Sequence, residues 1–304
     1  MTTDKYTYSI FQSRWWLDAV APNEWDEIVV RKSNDIIARM PYTLRQRYGL
    51  LFVEAPALTN HLGPWIAPIT GKEYNIISRQ NEIQTEIINR LPKFDIFKQS
   101  FNPMISNWLP WHWAGYTQTT FYTYVIDDLD DLDRIYSGFT NEKRRDIKKA
   151  SNKVNVCEDM PPAEFYRLHK LSLSQGGSPI SYKYEKFMRI CRAAISNNSG
   201  KILYAIDSDG AVHSGVFFVW DSNSAYFLIS FNVPEYRSNG SLSLLIYEAI
   251  KHCSGKTKRF DFDGSMIKGA EHSYRAFGGK QTPYFQISHT PNALLRLAKA
   301  LRGS

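Results

Sequence analysis

The chain has 304 residues, 43% of them hydrophobic, and a net charge of +7. That length allows two domains of about 150 residues each. The apolar content supplies sizeable cores and excludes a mainly disordered chain. The sequence pI of about 9.1 suits polyanionic partners such as RNA, nucleotide phosphates, coenzyme A or an anionic membrane surface, and equally an ordinary basic enzyme. Three cysteines, Cys157, Cys191 and Cys253, are odd in number and widely spaced. They read as reduced thiols of a cytosolic protein rather than a disulfide frame, and no pair has zinc-ligand spacing. The first eighteen residues lack a basic start followed by an apolar core. No apolar run approaches the ~20 residues of a membrane span. The expectation is a cytoplasmic protein, with a peripheral contact to the inner membrane left open.

Residues 12–20, with Trp15 and Trp16, predict a short helix, and 36–42 and 50–54 predict strands. A Pro- and Gly-rich loop covers 56–68. Residues 74–90 carry Ile76, Ile77, Ile83, Ile87 and Ile88 near helical spacing, which predicts an amphipathic helix. A strand over 94–100 leads to Trp108, Trp111 and Trp113, and the β-formers of 121–126 predict another strand. A basic helix over 140–153, capped by Thr140, opens the second half, followed by helices over 163–174 and 183–196. A meander comes next, with strands over 201–207, 211–220 and 225–231 and a hairpin turn at Asp209-Gly210. Helix 242–253, strand 259–262, helix 270–277 and strand 284–288 complete the pattern.

This order predicts an α+β fold with helices flanking mixed, largely antiparallel sheets. The antiparallel meander, with no Gly-rich loop after a first strand, excludes a doubly wound Rossmann fold. The first half follows the same order less clearly, as in a diverged duplication. The expected domains are 1–126 on the acceptor side and 127–304 on the donor side.

The loop before helix 242–253 reads Arg237-Ser238-Asn239-Gly240-Ser241. A basic residue, a Gly three positions on and a helix start are good chemistry for pyrophosphate. Gly lets a ligand approach the backbone, and the first helical N–H groups and the helix dipole attract an anion. An N-cap loop with a surface arginine is the plain alternative. The loop resembles the Q/R-x-x-G-x-G/A acyl-CoA motif of GCN5-related acetyltransferases (GNATs), departing from it at Leu242.

The run FDFDGSMIKGAEHSYRAFGG over 260–279, followed by TPYFQI, resembles the C-terminal signature of the FemABX-like branch of the GNAT superfamily. FQSRWWLDAVAPNEWD, MPYTLRQRYG, LTNHLGPW, NWLPWHWAGYTQTTFYTYVIDDL and NEKRRDIKKA extend that resemblance along nearly the whole chain. Lys268-Gly269 departs from it, where relatives often carry an acidic residue and Pro. The resemblance implies tandem GNAT-like domains and transfer of an acyl or aminoacyl group to an amine. Better-known members use aminoacyl-tRNA to extend peptidoglycan stem peptides and often carry a coiled-coil arm. No long charged heptad stretch is present here. Similar arm-less proteins often accompany surface-polysaccharide genes.

Amine acylation needs a proton acceptor and a polarised carbonyl. Asp263 ends the strand after the donor helix and Glu271 lies on the next helix, so both are base candidates, with Asp263 ahead. A turn-capping role for Asp263 and Ser265 is the alternative. Asp261 and Asp263 alternate with Phe260 and Phe262, which predicts one shared strand face. Tyr274 is a candidate for the general acid that GNAT enzymes often place on this helix, ranked below the two acids because FemABX-like relatives frequently carry Phe at the matching position, and His272 reads as a surface residue.

On helix 140–153, Arg144/Lys148 and Arg145/Lys149 are i,i+4 pairs. They suit a phosphate backbone or a diphosphate, or form a solvated basic face. Trp108, Trp111 and Tyr122 are candidates for stacking on a sugar, or core residues. Over 292–302, Arg296, Lys299 and Arg302 lie on one face and Leu294, Leu297 and Leu301 on another, a helix that either packs on the body or rests on an anionic membrane. Gly255-Lys256-Thr257 is no P-loop, since Ile250 stands where the first Gly belongs. Gly264-Ser265 is no nucleophile elbow. The seven histidines show no metal-binding spacing.

The expected function is direct acyl transfer, the acyl group being acetyl in the first instance. The donor is acetyl-CoA or another acyl-CoA, and the acceptor is the amine of a nucleotide- or lipid-linked amino sugar in surface-polysaccharide assembly. Neither metal nor DNA takes part. The competing readings are aminoacyl-tRNA-dependent transfer to a peptidoglycan precursor and a binding module without catalysis.

Overall fold

A computed structural model describes residues 5–177, 179–264 and 266–296. The chain divides into two compact units, one of residues 122–282, the other of 5–121 together with 283–296 of the described chain. The sequence places the division at 126/127 with one continuous second domain; in the structure the last strand, from Pro283, groups with the N-terminal residues.

The N-terminal unit begins with a 3-10 turn (Ile10–Gln12) and α1 (Arg14–Val20), followed by β1 (Trp25–Lys32), β2 (Asp35–Arg47), β3 (Leu50–Glu54) and β4 (Trp65–Ile66). Then come α2 (Glu73–Asn89), β5 (Ile96–Ser100), α3 (Leu109–Trp113) and the start of β6 (Thr117–Asp127). β1, β2 and β3 form an antiparallel meander and β3 runs parallel to β5. The core gathers Ile28, Val30, Met40, Val53, Ile83, Ile87, Phe97, Phe101 and Trp111. Burial of each large side chain contributes about 1.5–3 kcal/mol. Ile83 and Ile87 of α2 face this core at i,i+4, whereas Ile77 is exposed.

The second unit takes up the chain in β6 and continues with α4 (Leu132–Gly138), α5 (Asn141–Ser151), β7 (Asn155–Cys157), α6 (Pro162–Gln175) and α7 (Tyr184–Ser196). The meander follows as β8 (Gly200–Ile206), β9 (Val212–Trp220) and β10 (Ala225–Asn232). A 3-10 turn (Pro234–Asn239) leads into α8 (Ser241–Cys253), then β11 (Arg259–Asp261), α9 (Lys268–Arg275) and β12 (Lys280–His289). From Pro283 onward β12 belongs to the N-terminal unit, where it pairs antiparallel with β5, Gln286 opposite Ser100.

Within the second unit β7, β8, β9 and β10 are successive antiparallel neighbours, β10 runs parallel to β11, and β11 is antiparallel to β6. Thr140 caps α5 as predicted, its Oγ1 accepting from the Lys143 N–H at 3.3 Å. The Asp209-Gly210 turn forms, with Gly210 at φ 84°. β1, α3, α4 and β7 are additions to the predicted elements, and β4 lies within the segment 56–68 expected to be loop. Among the described residues no helix is long and apolar enough to cross a membrane. Of the predicted last helix, only its start, up to Arg296, lies in the described chain.

Candidate functional site

The site in the second unit grows from the way two parallel strands part. β10 and β11 pair only at Ala225–Phe260 and Tyr226–Asp261. β11 then ends, while β10 bulges between Phe227 and Ile229 and runs on to Asn232. Helix α6 serves part of β10 beyond that split: His169 Nδ1 donates to the Ser230 carbonyl at 2.9 Å, and Ser172 Oγ to the Asn232 carbonyl at 3.1 Å. Burial lowers the His169 pKa. These two residues carried no distinctive sequence signal; both lie on the inward side of an ordinary amphipathic helix.

Asp261 and Asp263 do not share a strand face as predicted, because the strand stops between them. The Asp261 carboxylate accepts from the Asp263 N–H at 2.8 Å and from Thr123 Oγ1 at 2.5 Å. The chain then turns through left-handed backbone at Asp263 (φ 62°) and Gly264 (φ 76°). Both acids are buried. Burial pushes the Asp261 pKa up to about 6, against the lowering effect of the two hydrogen bonds. Asp261 therefore shapes the turn that presents Asp263.

Tyr274 stands beside that turn. Its ring lies on Phe262 at 5.1 Å and edge-on to Phe227 at 5.8 Å, so it sits where β10 and β11 part. Burial, and secondarily the Asp263 charge, pushes its pKa up to about 12. The phenol stays protonated at neutral pH and can give a proton. Glu271 is placed differently. It accepts from Tyr124 Oη at 2.5 Å and from Arg275 Nε at 3.0 Å, and Gln281 donates to Tyr124 Oη at 2.9 Å. The Tyr124 hydrogen bond leads the effects that lower its pKa. It anchors α9 and is a weak base. The structure packs Tyr274 on Phe262, the chain neighbour of Asp263, and ties Glu271 to Tyr124 and Arg275.

The predicted donor loop follows β10. Arg237 and Ser238 are exposed, while Asn239, Gly240 and Ser241 are buried. Gly240 adopts φ 84°, and a Cβ there would lie 2.7 Å from the Asp146 carbonyl carbon. The close approach permitted by this glycine is thus to the backbone of α5. Asn239 Oδ1 accepts from the Ser241 N–H at 2.9 Å, and the hydroxyls of Ser214 and Ser241 meet at 2.9 Å.

Helix α5 places its basic side chains unequally. Lys149 Nζ donates to the Ser238 carbonyl at 2.8 Å, which joins the basic helix to the donor loop. Lys148 is exposed. Arg144 is engaged with the Ser137 carbonyl at 2.9 Å and with Asn141 Oδ1, bracing the junction of α4 and α5. Lys143 points inward: its Nζ lies 3.4 Å from Ser243 Oγ, 3.2 Å from Ser273 Oγ and 5.0 Å from the Phe277 ring centre. Burial lowers its pKa. Its inward position is readable from spacing, since Lys143, Ile147 and Ala150 follow i, i+4, i+7 and the latter two are core residues.

Trp111 is corrected as a sugar platform. It is fully buried in the N-terminal unit and donates from Nε1 to Gln84 Oε1 at 2.9 Å, so it presents no face to a ligand. Trp108 packs partly buried against the same core. Tyr122 is partly exposed at the start of the second unit. Ser265 lies outside the described residues. Among the described residues no three His, Cys, Asp or Glu side chains gather as a metal cage.

No protein-family model matches the sequence, and no curated protein matches it. Solved structures do resemble it. FemX is 11% identical at a TM-score of 0.67, covering 91% of each chain. The C-terminal domain of an Agrobacterium fabrum protein named for lysylphosphatidylglycerol synthetase is 11% identical at 0.56, covering 95% of this chain and 91% of the other. A tandem GNAT protein from the clavulanic acid biosynthesis pathway is 9% identical at 0.50, covering 87% and 82%. These likenesses establish a FemX-like, tandem GNAT-like α+β fold, as the sequence resemblance implied.

Proposed function

We propose that the chain is an N-acyltransferase with its reacting centre in the second unit, where β10 and β11 part. The observation that carries this is the packing of the Tyr274 ring on Phe262 at that split, Phe262 being the chain neighbour of the buried Asp263 carboxylate, with the phenol held protonated. Amine acylation requires removal of a proton from the attacking nitrogen and delivery of one to the leaving group. Asp263 is the group for the first step and Tyr274 for the second. Direct transfer fits, since neither role calls for a nucleophilic side chain.

The donor in this reading is acetyl-CoA or another acyl-CoA, which supplies an activated thioester. Arg237 and Ser238 are exposed at the loop, and Lys149 reaches the same loop from α5. Together they form a positive surface suited to phosphates. Gly240 and Ser241 shape that loop from beneath. The acceptor is the amine of a nucleotide- or lipid-linked amino sugar in cell-surface polysaccharide assembly, working at the cytoplasmic side. That choice rests on the sequence resemblance and on the positive charge, with Lys148 and Tyr122 as exposed contacts.

A second reading is favoured by the packing at Gly240. The close approach that Gly240 permits is used by the Asp146 backbone of α5. In aminoacyl-tRNA-dependent transfer to a peptidoglycan precursor no pyrophosphate need rest on that glycine, and the exposed basic residues of α5 track the nucleic acid backbone instead.

Calorimetric titration with acetyl-CoA and free CoA, repeated on Arg237→Ala, separates them. Micromolar binding that weakens tenfold in the variant, about 1.4 kcal/mol, supports the CoA donor. Absence of binding, with salt-dependent retention of charged tRNA, moves the donor to tRNA.

A further inference from the structure

Behind the exposed loop lies a hydrogen-bonded polar chain that transfer chemistry does not use. His213, on β9, is buried. Its Nε2 lies 2.9 Å from Asp207 Oδ2, and its Nδ1 meets Asn239 Nδ2. Tyr236 stacks on its ring at 3.7 Å, tilted by only 12°. Asn239 Oδ1 accepts from the Ser241 N–H that opens α8. Asp207 in turn accepts through Oδ1 from the N–H groups of Asp209 at 3.0 Å and Ala211 at 2.8 Å, in the β8–β9 hairpin.

Every donor and acceptor in this chain is forced from its two ends. The Ser241 N–H can only donate, so Asn239 must turn its oxygen to it. The Asn239 amide nitrogen then faces His213 and can only donate, so Nδ1 must be bare. A neutral ring with a bare Nδ1 carries its proton on Nε2, which donates to Asp207. Asp207 is held ionised: the Ala211 N–H, and next the His213 contact, keep its pKa below the usual carboxylate range. A carboxylate in the hairpin thus fixes the tautomer of His213, the orientation of Asn239 and the first turn of α8.

We propose that Asp207 and His213 are positioning residues that set the conformation of the 237–241 loop for its anionic ligand. This rests on the reading that the loop binds the donor's phosphates. The closing experiment therefore pairs a ligand readout with one that needs no ligand.

In the full chain, Asp207→Asn keeps an oxygen for the hairpin N–H groups but turns an N–H toward Nε2. The ring proton must then move to Nδ1 and Asn239 can no longer present its oxygen to Ser241. We expect His213 ¹⁵N shifts to report that tautomer change. Protection of the Ser241 amide against hydrogen exchange should fall tenfold or more, and CoA affinity should fall tenfold or more. The double variant Asp207→Asn/Asn239→Asp reverses the polarity of both histidine bonds. Its Nδ1–H donates to one oxygen of the carboxylate introduced at position 239, and the other oxygen accepts from Ser241. It should restore Ser241 protection.

Unchanged protection in Asp207→Asn, or failure of the double variant to restore it, overturns the proposal. So does CoA binding by the wild type and by Asp207→Asn with equal affinity. Should the wild type bind no CoA while protection falls and recovers as described, the positioning stands and the CoA donor fails.

Discussion

Gly240 begins α8 directly on the backbone of Asp146, with no room for a side chain between them. The residue is doubly required, by its left-handed φ of 84° and by this contact. Left-handed backbone costs a non-glycine residue about 1–3 kcal/mol, and the contact with α5 adds to it. Gly240→Ala is expected to lower thermal stability by at least that amount in the absence of any ligand, measured by calorimetric melting. Loss of donor affinity with an unchanged melting temperature would show instead that the glycine serves a ligand.

That glycine also shows how far the sequence could be read. Arg237, Gly240 and the helix start were legible as a loop motif because spacing along one chain is local information. Which surface would use the close approach was not legible, since α5 lies nearly a hundred residues earlier. The meander, the Asp209-Gly210 turn and the Thr140 cap follow from short-range chemistry and were predictable. The turn at Asp263 was legible as an alternative from Asp263-Gly264, but the separation of Asp261 from Asp263 was not, since the alternation in FDFD reads as one continuing strand face. His213 was a missed signal: a lone histidine in VHSGVFFVW, a buried strand, must find partners for both nitrogens.

The two base candidates differ in their surroundings, and the difference can be measured. Asp263 is buried beside Tyr274, whereas Glu271 is held by Tyr124 and Arg275. Asp263→Asn should lower kcat by about 10²–10⁴ with little change in KM, the range for loss of general acid–base catalysis. Glu271→Gln should cost less than tenfold. Steady-state kinetics on both variants decides, and a larger loss for Glu271→Gln would reverse the assignment.

Trp111 distinguishes a core residue from a sugar platform. It is fully buried against Phe97, Phe101 and Tyr116 with its indole N–H satisfied by Gln84. Trp111→Ala should destabilise the N-terminal unit by about 3–5 kcal/mol, read from denaturant midpoints. A stable variant with weakened acceptor binding would contradict the packing role.

Asp261 gives stability a pH dependence whose sign is fixed by its environment. Burial pushes its pKa in the folded chain up to about 6, above the unfolded value of about 3.9. Between those values the folded chain binds more protons than the unfolded one. Stability therefore falls as pH rises from about 4 to about 6, and the loss is complete above the folded pKa. The cost of holding the ionised carboxylate at neutral pH is on the order of 3 kcal/mol. Asp261→Asn keeps an oxygen to accept from Thr123 and the Asp263 N–H and removes the charge. The variant should match or fall below the wild type near pH 4 and exceed it at pH 7, in unfolding curves taken across that range. A stability difference that does not change with pH would mean that Asp261 titrates at its ordinary value, and that the Asp263 turn is held by a carboxylate that carries its charge without penalty.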